Sequence, residues 1–315
     1  MLRRGISHSL IVVVVIASAI TVTAGGLYYI QSQPKTEKPD LQAELQANGH
    51  VHFLYVDKEN PNLMLMGTHE GLRRSNDGGK TWATVEVKGE VRSKDFMSIA
   101  VDNSKDSKVL YAAGHDMFVT KSSDQGVTWS LSNKGLPNGD VHAIAIAAND
   151  PNTLYAWVVS AGLYRSKNGG ESWQRMDDGP PNSNVLALAS VNTLTGMGGI
   201  YLMAGTADGL YATADCFCGW QKVTSFFDSK TIYALAVDPT DPKVILASTR
   251  DGIYRSKDAG ASWEKIGKGF DNNVQIAALT FDPTDPSSLY AAGVTGAVYR
   301  STDSGNSWVQ LREGE

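Results

Sequence analysis

One eight-residue phrase, S-x-D-x-G-x-x-W, recurs along most of the chain and constrains its fold more than any other feature. Five good copies occupy residues 75–82, 122–129, 166–173, 256–263 and 301–308, and a degenerate copy occupies residues 213–220. The tryptophans that end these copies are separated by 47, 44, 47, 43 and 45 residues. A fixed period in this range is typical of a repeat architecture, in which each supersecondary unit packs against its neighbours.

The residue types of the phrase favour a tight hairpin with a structural role. The Asp carboxylate can accept hydrogen bonds from nearby backbone N–H groups, and the Gly can adopt a positive φ without a Cβ clash. The Trp that opens the next strand is large enough to pack between neighbouring sheets. Because the repeats share these residues, we interpret them as structural. They are Asp77, Trp82, Asp124, Trp129, Asn168, Trp173, Asp258, Trp263, Asp303 and Trp308.

The apolar pattern inside each repeat predicts four short strands. In the first repeat, apolar segments at residues 52–56 and 63–66 are followed by a third strand at residues 72–75 and by a fourth that begins at Trp82. The first strand of each unit is apolar almost throughout, as expected for a strand buried on both faces near an axis. Six such units predict an all-β fold, a six-bladed β-propeller of four-stranded antiparallel blades over residues 48–315. The ring is expected to close with blade 6 against blade 1 and without a strand exchanged between them.

A long apolar run precedes the repeats. It extends from about residue 9 to residue 30, and about 20 apolar residues in a helix are enough to cross a bilayer core. Arg3 and Arg4 stand before the run and no arginine follows closely, which predicts a cytoplasmic N-terminus. We therefore expect residues 1–30 to form a transmembrane signal-anchor, single-pass in the cell membrane, with the propeller on the extracytoplasmic side. The alternative is a cleaved signal peptide and secretion. Residues 31–47 are polar and read as a flexible linker.

Charge and cysteine content exclude two classes of protein. The net charge is −5 at pH 7 and no basic stripe is visible, which argues against nucleic acid as a partner. The two cysteines, Cys216 and Cys218, are only two positions apart, so a mutual disulfide is awkward and the fold is not a disulfide scaffold. Their role stays open between a decayed turn and a local redox or soft-metal site.

Five of the six histidines are expected on one face of the propeller, the face that carries the blade-to-blade links and the turns between second and third strands. Three begin inner strands and two lie in those turns. Tyr233 is expected near the axis, and Glu70 and Asp251 share one position in the turns, with Arg250 beside Asp251. The candidate binding residues are His50, His52, His69, Glu70, His115, His142, Tyr233, Arg250 and Asp251.

These side chains have two interpretations. The first is that they are solvated loop and channel-lining groups that bind water. The second is a ligand or divalent-metal site, because imidazoles and carboxylates suit zinc or copper. His50, His52 and His69 are the metal candidates, but a metal needs three or four converging ligands, which spacing alone does not establish. We expect no cofactor, with a divalent metal as the alternative.

The recurring phrase resembles the Asp-box, also called the BNR repeat, over roughly residues 48–311. Families with this repeat include bacterial sialidases, oligoxyloglucan-type glycoside hydrolases, the sortilin ectodomain and photosystem II stability/assembly factor-like proteins. All are β-propellers, so the resemblance implies the fold strongly and the function weakly. The lean blades, the D-P-T-D-P turns at residues 238–242 and 282–286, and the N-terminal apolar segment are most similar to the assembly-factor-like group.

The resemblance to sialidases does not extend to their catalytic residues. A sialidase would require an Arg-Ile-Pro segment near its start, and none occurs. Four arginines repeat at one place just before the Asp-box, which indicates a structural role; they are Arg74, Arg165, Arg255 and Arg300. Asp208 and Asp251 lie on adjacent blades as the two acids that glycoside hydrolysis needs, but nothing in the sequence distinguishes them. No catalytic residue is therefore assigned.

The function expected from these observations is a membrane-anchored, non-catalytic binding or assembly scaffold. Its partner would be a protein or a glycan outside the cytoplasm, bound through the histidine-bearing face. A glycoside hydrolase acting at the same face is the alternative. A cleft with convergent carboxylates or arginines would favour the enzyme, and a shallow mouth would favour the scaffold.

Overall fold

The computed structural model describes residues 50–104, 107–181, 184–193, 200–214, 219–270 and 274–312. These residues form six sheets, each with four antiparallel strands that follow one another in the chain, so the predicted six-bladed β-propeller is confirmed. The predicted transmembrane segment, the linker, and Cys216 and Cys218 lie outside the described residues. Within those ranges, no helix is long and apolar enough to cross a membrane.

The first three blades run from inner to outer strand in chain order. Blade 1 consists of β1 (Val51–Val56), β2 (Met64–Thr68), β3 (Gly71–Ser75) and β4 (Ala83–Thr84), and β5 (Lys88–Gly89) follows it. Blade 2 consists of β6 (Ser98–Val101), β7 (Leu110–Gly114), β8 (Phe118–Ser122) and β9 (Thr128–Leu131). Blade 3 consists of β10 (Val141–Ala147), β11 (Asp150–Val158), β12 (Gly162–Ser166) and β13 (Gln174–Asp177).

The last three blades repeat the same order. Blade 4 consists of β14 (Val185–Val191), β15 (Tyr201–Thr206), β16 (Gly209–Ala214) and β17 (Gln221–Lys222), followed by a 3-10 turn at Ser225–Phe227. Blade 5 consists of β18 (Ala234–Val237), β19 (Ile245–Thr249), β20 (Gly252–Ser256) and β21 (Glu264–Ile266). Blade 6 consists of β22 (Ile276–Phe281), β23 (Leu289–Gly293), β24 (Val298–Ser301) and β25 (Val309–Gln310).

The ring closes by packing blade 6 against blade 1. No strand of one blade joins the sheet of the other among the described residues. One apolar cluster contains Val51 and Met64 of blade 1 together with Tyr290 and Val298 of blade 6. The Val51 amide also donates to the Val294 carbonyl at 3.1 Å. The expectation of a closure without strand exchange is therefore confirmed.

Blade 2 has a fifth strand that the repeat pattern does not predict. Strand β5 lies in the link from blade 1 and pairs in parallel with β9, with Gly89 opposite Trp129. A Cβ on Gly89 would lie 2.0 Å from the Trp129 carbonyl oxygen, so only glycine permits this approach. The link thereby covers the outer edge of blade 2, which limits edge-to-edge pairing with other chains.

The Asp-box side chains form the hydrogen bonds of a tight turn. In the first copy, Asp77 Oδ1 accepts from the backbone N–H groups of Lys80 and Thr81 at 3.1 and 2.9 Å. Ser75 Oγ donates to the same oxygen at 2.7 Å and accepts from the Gly79 amide at 2.9 Å. Each of these bonds satisfies a polar group of the turn without help from another blade.

The box tryptophans pack between neighbouring blades. Trp129 of blade 2 is 1% exposed and contacts an apolar cluster that includes Phe53 and Leu65 of blade 1. Trp308 of blade 6 lies in a cluster with Leu246 and Ile253 of blade 5. The side chains therefore fill the space between adjacent sheets, where a large aromatic surface stabilises the contact most.

Candidate functional site

A central channel runs between the six inner strands. His52, Met97, Leu186 and Tyr233 line it at equivalent positions of blades 1, 2, 4 and 5, and Tyr233 thus lies near the axis as expected. The cavity has a volume of about 320 Å³. Among the described residues that line it, none is Asp, Glu, Lys or Arg. Most of the lining side chains are aliphatic, with polar ones such as Ser98, Tyr233 and Thr280 among them.

Each blade places three equivalent side chains on the rim that carries the blade-to-blade links. The first lies two residues before the channel position, the second is the channel position itself, and the third directly follows the second strand. In blades 1 to 3 these residues are His50, His52 and His69; Asp95, Met97 and His115; and Asp140, His142 and Val159. In blades 4 to 6 they are Asn184, Leu186 and Ala207; Thr231, Tyr233 and Arg250; and Gln275, Ala277 and Val294.

Backbone hydrogen bonds confirm that these positions are equivalent. The N–H that follows the second strand donates to the carbonyl of the first rim position of the same blade. The pairs are Val159 with Asp140 at 2.9 Å, Ala207 with Asn184 at 3.1 Å, and Val294 with Gln275 at 3.0 Å. The same backbone hydrogen bond therefore recurs in blades 3, 4 and 6 and marks the first and third rim positions as equivalent in those blades.

We call the seven side chains that converge there the histidine rim; they are His50, His52, His69, Asp95, His115, Asp140 and His142. Within it, His50, His52 and His69 of blade 1 form one group, whose ring centroids lie 4.4 to 4.5 Å apart. His52 Nε2 lies 3.2 Å from His69 Nε2. One potential ligand atom from each of the three residues lies within 4.8 Å of the others.

The second group combines residues of blades 2 and 3. Asp140 Oδ1 lies 2.7 Å from His115 Nδ1 and 3.1 Å from His142 Nε2. The two histidine nitrogens are 3.3 Å apart. His115, Asp140 and His142 therefore form a second compact triangle of potential ligand atoms.

Asp95 stands between the two groups. Its Oδ2 atom lies 2.8 Å from His69 Nδ1 in the first group and 4.0 Å from His115 Nε2 in the second. Its Oδ1 atom is buried without a hydrogen-bond partner, with His52 Nε2 at 3.8 Å. An uncompensated buried polar atom is costly, and the site contains a second one in His142 Nδ1.

Sequence reasoning did not identify Asp95 or Asp140. The available signal is positional, since both stand two residues before a channel position, as His50 does in blade 1. The backbone N–H of each aspartate also donates to a polar side chain two residues earlier. The Asp95 amide donates to Ser93 Oγ at 3.2 Å, and the Asp140 amide donates to Asn138 Oδ1 at 2.9 Å. These turns aim both carboxylates towards the histidines.

Burial keeps several imidazoles neutral. Burial, with smaller contributions from the charges that His50 and His69 would carry, lowers the pKa of His52 to about 2. Burial also lowers the pKa of His142, against the opposing effect of Asp140, and burial together with His69 lowers the pKa of His50. A neutral imidazole retains one nitrogen lone pair, so these rings can accept a hydrogen bond or bind a metal at neutral pH.

The other sequence-derived candidates are not part of the histidine rim. Glu70 is exposed beside His69 in the same turn. Asp251 instead pairs with Lys230 at 2.7 Å on blade 5, next to Arg250. Tyr233 lines the channel on that blade. The expected single binding surface thus divides into a histidine-rich part on blades 1 to 3 and a separate charged turn on blade 5.

Comparisons with known proteins place the fold in a broad group. A family model described as photosynthesis system II assembly factor YCF48 matches residues 35–315. No curated protein sequence matches the chain significantly.

Among solved structures, the GH74 xyloglucanase of Xanthomonas campestris is similar at 16% identity and TM-score 0.59, over 84% of this chain and 55% of its own. The GH74 enzyme of Niastella koreensis is similar at 18% identity and TM-score 0.53, over 82% and 46%. A structure of YCF48 bound to D1 peptide matches at 18% identity and TM-score 0.48, over 84% of each chain. This chain thus spans about half the length of the two glycoside hydrolases, and at these identities the likeness to them is one of fold.

The family model, unlike the solved structures, is matched by sequence, and the match extends over the repeat region at residues 48–315. It includes all six Asp-box copies and the whole of the histidine rim. The chain therefore belongs to the family of the photosynthesis system II assembly factor YCF48.

Proposed function

We propose that this chain is a non-catalytic assembly scaffold that binds a protein partner through the histidine rim. The observation that carries the proposal is the convergence of five histidines and two aspartates from three adjacent blades. The equivalent positions of blades 4 to 6 carry neither residue type. Because the repeat scaffold needs no such residues at these positions, their concentration on half of the ring indicates a binding role. Membership of an assembly-factor family supports a protein as the partner.

The charge distribution favours a scaffold over a glycoside hydrolase. Hydrolysis by paired acids requires two carboxyl groups on opposite sides of the scissile bond, about 5 to 10 Å apart. The described lining of the central cavity contains no carboxylate. Asp95 and Asp140 are both engaged by histidines, and Asp251 by Lys230. All three acids therefore already pair with a histidine or a lysine, which disfavours their use as a hydrolytic acid pair.

The rim suits a polypeptide better than a strongly charged ligand. Neutral imidazoles supply both donors and acceptors, which match backbone amides and polar side chains of an extended segment. Exposed Glu70 and Lys94 flank His69 and Asp95 and carry opposite charges. A bound segment would therefore be positioned by hydrogen bonds, with the two flanking charges setting its register.

The proposal includes a location outside the cytoplasm. The apolar run within residues 1–30 would tether the propeller to the membrane, and residues 31–47 would let it reach a membrane-protein segment. A glycan is the other class of partner that a propeller face of this kind could bind, and it is an outcome of the experiment below.

The experiment is a crosslinking pull-down of the full chain from its native membranes. The test variant combines Glu70→Lys with Lys94→Glu, which reverses both flanking charges, keeps the net charge and leaves the histidine rim intact. The control combines Lys167→Ala with Glu171→Ala in the third Asp-box, where both side chains are exposed. We expect a stoichiometric protein that the control retains and the test variant loses. Equal capture by both variants, or capture of glycan alone, would overturn the proposal.

A further inference from the structure

We propose that the histidine rim binds two divalent transition-metal ions of the zinc and copper class, one in each of its two three-residue groups. The ligands are His50, His52 and His69 for the first ion and His115, Asp140 and His142 for the second. Asp95 orients His69, a ligand of the first ion. This inference is independent of the proposed partner, because it concerns the affinity of the chain itself for a metal.

Ligand spacing in the first group fits a tetrahedral ion. Zinc bound to imidazole nitrogens at about 2.0 to 2.1 Å places neighbouring ligand atoms roughly 3.4 Å apart. His52 Nε2 and His69 Nε2 are 3.2 Å apart. The third ring, His50, contacts both of the others at centroid distances of 4.5 and 4.4 Å. Small rotations of an exposed side chain are sufficient to bring its nitrogen to the same ion.

The second group is more compact and fits the same geometry. The edges of its triangle are 2.7, 3.1 and 3.3 Å, and they join one carboxylate oxygen of Asp140 to two imidazole nitrogens. The shortest edge is a hydrogen bond between His115 and Asp140. A metal bound at His115 Nδ1 would displace the proton of that bond to His115 Nε2, so the neutral ring binds the ion through a change of tautomer.

Asp95 provides an outer hydrogen bond for one of the proposed metal ligands, His69. Such histidines almost always donate their second ring N–H to a carboxylate or carbonyl, which fixes the tautomer. Asp95 Oδ2 lies 2.8 Å from His69 Nδ1, so His69 Nε2 keeps its lone pair and faces His52. The same oxygen lies 4.0 Å from His115 Nε2, on the side of the ring opposite the Asp140 contact. The carboxylate therefore fixes a ligand nitrogen in the first group and faces His115 of the second without a hydrogen bond.

A buried atom points independently to a missing cation. Asp95 Oδ1 has no hydrogen-bond partner although it is buried, and His52 Nε2 lies 3.8 Å away. A buried carboxylate normally has a compensating charge nearby. An ion held by His52 and His69 would provide that charge.

The ligand types decide the class of metal. Imidazole suits zinc, copper and nickel, whereas magnesium and calcium prefer oxygen ligands. Five of the six proposed ligands are imidazoles. Three protein ligands for each ion leave a fourth position for water or for a donor from a bound molecule. A structural zinc site would have a closed set of four protein ligands, so these are open sites.

The test uses the full chain, purified without a polyhistidine tag and treated with chelator, with Zn²⁺ alone as the probe. Bound metal is counted by elemental analysis after gel filtration, and affinity is measured by calorimetry. We expect two equivalents for the parent and one each for His69→Gln and His142→Gln. Asp95→Asn should weaken binding about 10- to 100-fold. Arg250→Ala, at the blade 5 position equivalent to His69, is the matched control and should keep two equivalents.

X-ray absorption of the Zn²⁺-loaded parent gives a readout that needs no variant to fold. We expect nitrogen and oxygen ligands at about 2.0 to 2.1 Å with the multiple scattering of imidazole. Less than half an equivalent in the parent, or full retention by a His69→Gln/His142→Gln double variant, would overturn the inference. A parent that binds only one equivalent, or a single variant that loses both, would overturn the assignment of one ion to each group.

Discussion

His69 and Asp95 are joined across the link between blades 1 and 2, with His69 Nδ1 lying 2.8 Å from Asp95 Oδ2. An ionised carboxylate can only accept, so the histidine must donate from Nδ1. This contact fixes the tautomer of one ring and ties two blades together at the rim. The tautomer of His69 therefore reports on whether this contact between the two blades is intact.

Removing the Asp95 carboxylate should change the tautomer of His69. In ¹⁵N-labelled parent protein we expect Nδ1 to carry the proton, and in Asp95→Ala we expect a mixture of both tautomers. The stability cost should be about 1 to 3 kcal/mol, since a charge-assisted hydrogen bond is lost. Asp140→Ala is the control, because Asp140 contacts His115 and His142 and not His69. A proton on Nε2 of His69 in the parent would contradict the geometry.

Truncating a box tryptophan should destabilise the propeller strongly. Trp129 is 1% exposed between blades 1 and 2, so Trp129→Ala leaves a large cavity between two sheets. We expect a loss of about 3 to 5 kcal/mol in the free energy of unfolding, measured with urea.

The matched control for this truncation is Val309→Ala, because Val309 is 66% exposed on the outermost strand. Its effect should stay within about 0.5 kcal/mol. Equal losses in the two variants would mean that Trp129 does not fill the interface between the blades.

Acid should weaken the Asp-box turns. Hydrogen bonds from the Ser307 hydroxyl and amide, and then from Ser301, lower the pKa of Asp303 to about 2. The Asp303 carboxylate is therefore protonated near pH 4 in the unfolded chain but only near pH 2 in the folded chain. Its contribution to the free energy of unfolding is present above pH 4 and is lost as the pH falls from 4 to 2.

The measurement is urea unfolding at pH 6 and at pH 3 for the parent and for Asp303→Asn. The asparagine variant should lose less stability on acidification than the parent does. Glu171→Gln, which removes an exposed carboxylate from the third Asp-box, should lose as much stability on acidification as the parent does. An Asp303→Asn variant with the same acid dependence as the parent would count against the hydrogen-bonding account of this turn.

The repeat period made most of the fold predictable. Each Asp-box specifies its own hairpin through local hydrogen bonds, and Asn168 shows why the pattern tolerates one change. Its amide oxygen still accepts from the Ser172 N–H at 3.0 Å. Because hairpin connections alternate between the two ends of a blade, the position of each histidine within its blade also assigns it to one face.

The composition of the site was less predictable. Asp95 and Asp140 lie in blade-to-blade links, whose paths depend on tertiary packing and not on the repeat pattern. The same is true of strand β5, which forms because the link after blade 1 approaches Trp129. Arg250 and Asp251 share the turn position but lie on blade 5, where Asp251 pairs with Lys230. Sequence spacing identifies equivalent positions in a ring and does not say which blades act together.

A glycoside hydrolase and a scaffold predict different results with sugars. We expect the full chain to release no product above the uncatalysed background from xyloglucan oligosaccharides or sialosides. The reason is that the described cavity lining offers no pair of acids for the reaction. Turnover that survives Glu70→Lys but not Asp208→Asn would contradict this expectation and would favour the enzyme.

The decisive measurement is site-specific photo-crosslinking in native membranes, with the photoreactive residue placed at Glu70 or at Lys167. Glu70 flanks the histidine rim, and Lys167 lies in an Asp-box turn at the opposite end of the blades. We predict one crosslinked protein of defined mass from position 70 and none from position 167. A protein adduct from position 167 alone, or from neither position, would contradict partner binding at the histidine rim.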